Sequence, residues 1–146
     1  MPTRTARTAW NGTLEQGSGQ VELTSSGVGT YDVSFPKRAA DDAGGTTSPE
    51  ELIAAAHTAC YAMQFSAEIA QRGGTPEALD VQADVSLGPD TAGGFKLTGI
   101  TLTVRGEVEG LDEAGFLEAA QAAKANCPVS KALAGVDITL DASLES

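Results

Sequence analysis

The side chains in this 146-residue chain best suited to nucleophilic or redox chemistry are few: one histidine, His57, and two cysteines, Cys60 and Cys127. The cysteines lie 67 residues apart, which excludes a C-x-x-C redox motif but allows a disulfide formed through the fold. Cys60 falls on an apolar stripe at helical spacing, Ile53, Ala56, Cys60, Met63 and Ala67. On spacing alone, a cysteine in such a stripe is a small core residue. Cys127 stands just before Pro128 and a further helical turn. There the helix dipole and unpaired N–H groups favour a thiolate; the competing reading is a junction residue without chemistry. His57 precedes Cys60 by three residues and is its neighbour on a helix surface. It reads either as a partner of the thiol or as a helix residue satisfied by a hydrogen bond.

Other chemistries are closed off. One histidine and two cysteines cannot supply the four Cys or His ligands of a structural zinc site. No G-x-S-x-G elbow accompanies His57, and neither familiar glycine-rich phosphate loop is present. Neither a metal nor an organic cofactor is called for. Lys plus Arg number 9 against 20 Asp plus Glu, a formal net charge of −11. That balance disfavours nucleic acid and anionic lipid as partners, because both need clustered cations. Met1 to Trp10 lacks an apolar h-region, and the most apolar stretch, Leu52 to Met63, is too short to span a bilayer. The chain reads as cytoplasmic, where thiols stay reduced unless chemistry oxidises them.

The elements that must position these residues follow from hydrophobic period and punctuation. Thr5–Thr13, Val21–Thr24 and Tyr31–Phe35 read as strands, followed by a loop over Ala39–Thr47. Ser48-Pro49-Glu50-Glu51 then opens a helix: Ser48 as cap, Pro49 at the first position, Glu51 completing a capping box. The helix is predicted to run to about Arg72 and stop at Gly73-Gly74, roughly 24 residues or about 36 Å. Its middle is apolar nearly all the way round, so burial on every side is expected, with a second subunit supplying part of the cover. Leu79–Leu87 and Phe95–Val108 alternate as strands. A second helix runs from Leu111-Asp112 to Asn126-Cys127, a short helical turn covers Val129–Leu133, and Val136–Leu144 is a final strand. The prediction is a single α+β domain over residues 1–146, its long helices packed on a mainly antiparallel sheet.

Two segments then become specific together. Thr47-Ser48-Pro49-Glu50-Glu51-Leu52-Ile53-Ala54-Ala55-Ala56-His57-Thr58-Ala59-Cys60 resembles the first-cysteine motif of the OsmC/Ohr family of thiol-dependent hydroperoxide reductases. Asn126-Cys127-Pro128-Val129-Ser130 resembles the second, and Val129 and Ser130 after Cys-Pro are closer to the OsmC branch than to the Ohr branch. The resemblance covers nearly the whole chain. It implies an intertwined homodimer with active sites at the subunit interface. It further implies a peroxidatic Cys60, a resolving Cys127, and an arginine and a glutamate completing the site. Glu50 of Ser-Pro-Glu matches the glutamate. Arg38, after the third strand, is the candidate arginine; the competing reading is a solvated loop arginine.

The resemblance implies that Cys60 reduces organic hydroperoxides, and hydrogen peroxide more weakly, becoming a sulfenic acid. Cys127 condenses with it to a disulfide, and an external dithiol or lipoyl-type reductant resets the pair. Arg38 would stabilise the thiolate and Glu50 would orient its guanidinium plane. Phe35, Leu52, Met63 and Phe65 are candidates for an apolar approach, or equally plain core. A direct catalytic role is not required of His57. The alternative function is a redox-sensing or binding domain using the same thiol pair as a switch, and a structural dimer with inert thiols is a third possibility.

Overall fold

The Thr47-Ser48-Pro49-Glu50-Glu51 segment starts a helix as its residue types dictate. In the computed structural model, which describes residues 1–145, the Ser48 hydroxyl accepts the Glu51 N–H at 3.1 Å. Only that half of the capping box forms: the Glu51 carboxylate takes the Thr47 hydroxyl instead of turning back to the cap. This long helix, α2, covers Pro49–Gln71. It ends where glycine permits a left-handed residue: Gly73 has φ +84°, Gly73 N–H reaches the Ala70 carbonyl and Gly74 N–H the Ile69 carbonyl. This is the paired closure that satisfies the last free carbonyls.

The chain divides into two compact units, Met1–Leu52 and the remainder from Ile53. In the first, β1 (Arg7–Asn11), β2 (Ser18–Glu22) and β3 (Thr30–Val33) form an antiparallel sheet in chain order. The strand predicted over Tyr31–Phe35 stops at Val33, and Phe35–Ala39 forms a short helix, α1. Ser34 caps it by accepting the Lys37 N–H, and Pro36 in its first turn has φ preset for a helix, which outweighs the two-residue alternation before it. Arg38 therefore projects from a helical turn, not from a loop.

In the second unit, β4 (Thr75–Pro89) pairs antiparallel with β5 (Phe95–Glu109), and β5 pairs parallel with β6 (Ile138–Glu145). The parallel pair follows from the helical crossover between its strands, α3 (Glu113–Asn126) and α4 (Pro128–Ala132). Asp112 caps α3 through the Gly115 N–H at 2.8 Å. Ile100, Leu102 and Val104 of β5 point to one buried face, as their alternation predicts. Leu102 and Val104 share a core with Tyr61, Phe65 and Ile69 of α2 and with Phe116 and the alanines Ala119, Ala120 and Ala123 of α3. The small α3 residues let the aromatic ladder pack closely: Phe65 sits 5.6 Å from Tyr61 and 5.2 Å from Phe116 between ring centroids. Gly106 is needed because a Cβ there would lie 2.8 Å from the Phe116 ring.

The face of α2 that is buried differs from the predicted stripe. His57, Tyr61, Phe65, Glu68 and Ile69 are buried, Cys60 is half-buried, and Ala56, Met63 and Ala67 face outward. The larger residues take the core because they bring more apolar area out of water. Burial on every side is likewise not found within one chain: Ala55, Ala56, Ala59, Met63, Ala67 and Ala70 make an exposed apolar face. No helix among the described residues is long and apolar enough to cross a membrane.

Candidate active site

The four candidate residues come together as two pairs, each within one unit. In the first, α1 presents Arg38 in its last turn and the first turn of α2 presents Glu50, which is buried to 8% exposure. Arg38 Nε lies 2.9 Å from Glu50 Oε1, and Nη2 lies 2.9 Å from Oε2. The two-point contact sets the guanidinium plane and leaves Nη1 for a ligand. The hydrogen bond to Glu50 holds the guanidinium pKa above its ordinary value; burial opposes this and the charge attraction of Glu50 adds to it. Beside the pair lies an apolar cleft of about 280 Å³ walled by Thr8, Trp10, Leu14, Phe35 and Leu52, with Arg38 among its lining residues. Of the four predicted apolar-approach residues, Phe35 and Leu52 line this cleft. Phe65 is core, and Met63 is 74% exposed on the outer face of α2.

The second pair is Cys60 and Cys127. Both are free thiols and their sulfurs lie 3.0 Å apart, Cys60 half-buried and Cys127 fully buried. Cys127 occupies the junction itself, ending α3 and starting α4, because Pro128 has no N–H to continue the first helix. Its side chain makes no capping hydrogen bond to α4. Burial works against ionisation of Cys127. It is outweighed by the neighbouring Cys60 thiol and by the polar groups of Ser130 and Val129 nearby, which shift this thiol below its ordinary value. Cys60 moves the other way. Burial and the hydrogen bond to Cys127 push its thiol up, against a smaller pull from the Val129 N–H. The two thiols titrate as a coupled pair, Cys60 shifted up and Cys127 shifted down.

Two contacts that the sequence reading assigned no part in the site hold this arrangement. His57 does not meet either thiol; its Nε2 lies 2.7 Å from the Ser130 Oγ, both residues being buried. Burial lowers the imidazole pKa, and its Nδ1 has no partner. Glu68 of α2 accepts Asn126 Nδ2 at 2.8 Å, along with Gln64 at 3.0 Å and Arg72 at 2.8 Å. These bonds, that of Asn126 foremost, hold the Glu68 carboxyl below its usual range. Asn126 is adjacent to Cys127, so the contact pins the junction against α2. The only sequence signal was the position of Asn126 in the second motif; nothing linked it to a glutamate 58 residues earlier.

This α+β arrangement is shared with a known family. The OsmC-like protein family model matches residues 41–141, and the chain belongs to that family. It is 41% identical over 137 residues to peroxiredoxin OsmC of Escherichia coli (strain K12), covering 94% of this chain and 93% of that protein. It is 38% identical over 99 residues to the organic hydroperoxide resistance protein OhrA of Bacillus subtilis (strain 168), covering 65% and 66% respectively. Among solved structures, the organic hydroperoxide resistance protein OhrB of Bacillus subtilis matches with a TM-score of 0.76 and 31% identity, over 95% of this chain and 98% of that one. An organic hydroperoxide resistance protein OsmC from Legionella pneumophila matches with a TM-score of 0.79 and 29% identity, over 98% of both.

Proposed function

We propose that the protein is a cysteine peroxidase for organic hydroperoxides, with hydrogen peroxide a poorer substrate. The observation that carries the reading is the 3.0 Å approach of two reduced sulfurs, of which only Cys60 is partly open to solvent. Cys60 is the peroxidatic residue: its thiolate attacks the terminal peroxide oxygen, the O–O bond breaks, and the alkoxide leaves as alcohol after taking a proton. The product is a Cys60 sulfenic acid. Cys127 attacks that sulfur, water is lost, and a Cys60–Cys127 disulfide forms with little movement. An external dithiol, small or lipoyl-type, reduces it by exchange. The apolar cleft beside Arg38 suits a substrate with an organic tail better than hydrogen peroxide.

The Arg38–Glu50 pair supplies the cation that a buried Cys60 thiolate lacks. α2 is unbroken from Pro49 to Gln71. The ten residues from Glu50 to Cys60 therefore span about 15 Å along its axis. The pair consequently serves the Cys60 of a second copy, whose binding also covers the exposed Ala55–Ala59–Met63 face, and the working enzyme is a homodimer. The test is to incubate reduced protein with cumene hydroperoxide and dithiothreitol and follow peroxide loss, with mass spectrometry for the disulfide. No peroxide turnover, with the thiols left reduced, overturns the reading. Disulfide formation without turnover by any dithiol favours a redox switch.

A further inference from the structure

The long helix α2 meets the α3–α4 crossover at more than the two sulfurs. His57 Nε2 lies 2.7 Å from Ser130 Oγ, the Tyr61 hydroxyl donates to the Ala120 carbonyl at 2.8 Å, and Asn126 Nδ2 donates to Glu68 Oε1 at 2.8 Å. All three bonds run from α2 to residues 120–130. In the chain, Cys60 lies between His57 and Tyr61, and Cys127 lies between Asn126 and Ser130. Each thiol is therefore flanked on its own segment by residues tethered to the other. From His57 to Glu68 the tethers are spread over about 16 Å of α2. A junction held at one point can rock or slide. Held at separated points, it cannot move as a body without breaking at least one bond.

Packing alone would not call for these groups. His57, Glu68 and Ser130 are buried polar residues, and His57 Nδ1 has no partner. Apolar side chains of similar volume would fill the space without leaving a polar atom unsatisfied. They would not fix a distance, because apolar contact is non-directional and a hydrogen bond is confined in length and angle. We propose that the His57–Ser130, Tyr61–Ala120 and Glu68–Asn126 contacts form a clamp that holds Cys60 and Cys127 at bonding reach and so favours and speeds their disulfide. The side chains of His57, Tyr61, Glu68, Asn126 and Ser130 are positioning residues that act through the placement of the two cysteines. The inference rests on the peroxidase reading for its use. In the step concerned, the Cys127 sulfur forms the S–S bond and the S–O bond of the Cys60 sulfenic acid breaks. The leaving hydroxide and the Cys127 proton become water. With the reduced sulfurs already 3.0 Å apart, closing the disulfide orders little that is not ordered beforehand.

The clamp is tested by thiol–disulfide exchange, with no peroxide present. Reduced protein is equilibrated with mixtures of oxidised and reduced dithiothreitol, quenched in acid, and the disulfide counted by mass spectrometry. The two cysteines lose two electrons and two protons, which the cyclic disulfide of dithiothreitol takes up. Asn126→Ala, Tyr61→Phe and His57→Leu should each lower the exchange constant about three- to tenfold, the worth of one hydrogen bond. Each should also slow conversion of the sulfenic acid, trapped with dimedone after one equivalent of cumene hydroperoxide. Arg72→Ala is the control: Arg72 grips the same Glu68 carboxylate from within α2 and makes no bond to the junction. It should lower the urea midpoint and leave the exchange constant at the wild-type value. A merely structural contact weakens the dithiol and disulfide forms alike and does not move that constant. Asn126 is exposed, so its variant keeps the fold and carries the test even where His57→Leu does not fold. A wild-type exchange constant in Asn126→Ala and Tyr61→Phe overturns the clamp, as does an equal fall in Arg72→Ala. Failure of wild-type Cys60 to oxidise with peroxide overturns the peroxidase reading instead and leaves the exchange result standing, so the two failures are distinguishable.

Discussion

Mixing two inactive variants, Cys60→Ser and Glu50→Ala, tests whether one chain supplies the thiol and the other the cation. The helix decides the expectation. With about 1.5 Å and 100° per residue, Cys60 lies some 15 Å along the axis from Glu50 and about 80° away from its face. A glutamate carboxylate reaches only about 4 Å from its Cα, and its two-point grip keeps the Arg38 guanidinium at the Glu50 end of α2. No proline or glycine lies between Glu50 and Cys60 to break the helix. If the site is shared across a two-fold dimer, each heterodimer holds one complete site and one lacking both groups. Random exchange at equal concentrations makes half the dimers heterodimers, so activity should recover to about one quarter of the wild-type value. Peroxide loss measured after exchange, with heterodimers counted by native mass spectrometry, reads this directly. No recovery despite confirmed heterodimers would refute the assignment of Glu50 to the partner's thiol.

Four further outcomes are expected. Cys60→Ser should abolish peroxide loss with an unchanged fold, and retained turnover would place the nucleophile elsewhere. Cys127→Ser should still oxidise once, after which mass spectrometry should show added oxygens on Cys60 under excess peroxide; an unmodified Cys60 would argue against a resolving Cys127. Met63→Arg should leave the isolated chain within about 0.5 kcal/mol of its stability, as for an exposed site, yet convert the dimer to inactive monomer by sedimentation, because the covered face would then bury an unpaired charge. Glu68 has a folded pKa below its unfolded one. Its contribution is therefore complete above the ordinary glutamate value of about 4.3 and is lost as pH falls through the lower, folded value. Glu68→Ala should cost about 1–3 kcal/mol at pH 7 by urea unfolding and flatten the acid limb of the stability curve; an unaltered acid limb would show that the Asn126 and Arg72 contacts are not formed in solution.

The element order and the start and stop of the long helix were legible in the sequence because local chemistry sets them: Ser48 before Pro49, the Gly73-Gly74 stop, and strict alternation in β5. The candidate residues named from the sequence are also ones the fold brings together, Arg38 with Glu50 and Cys60 with Cys127. Local rules failed where neighbours compete. Tyr31–Phe35 alternates like a strand, but Pro36 and the Ser34 cap claim Phe35 for α1. The apolar residues of α2 lie all round the helix, so its periodicity had no means of choosing a face. The choice of Tyr61, Phe65 and Ile69 over Ala56, Met63 and Ala67 was made by which side chains fill the space opposite Phe116 and the α3 alanines. Contacts between residues far apart in sequence, Glu68 with Asn126 and His57 with Ser130, were invisible for the same reason. A hydrogen bond needs two groups within about 3 Å, and only the packing of α2 against the α3–α4 junction brings these groups that close.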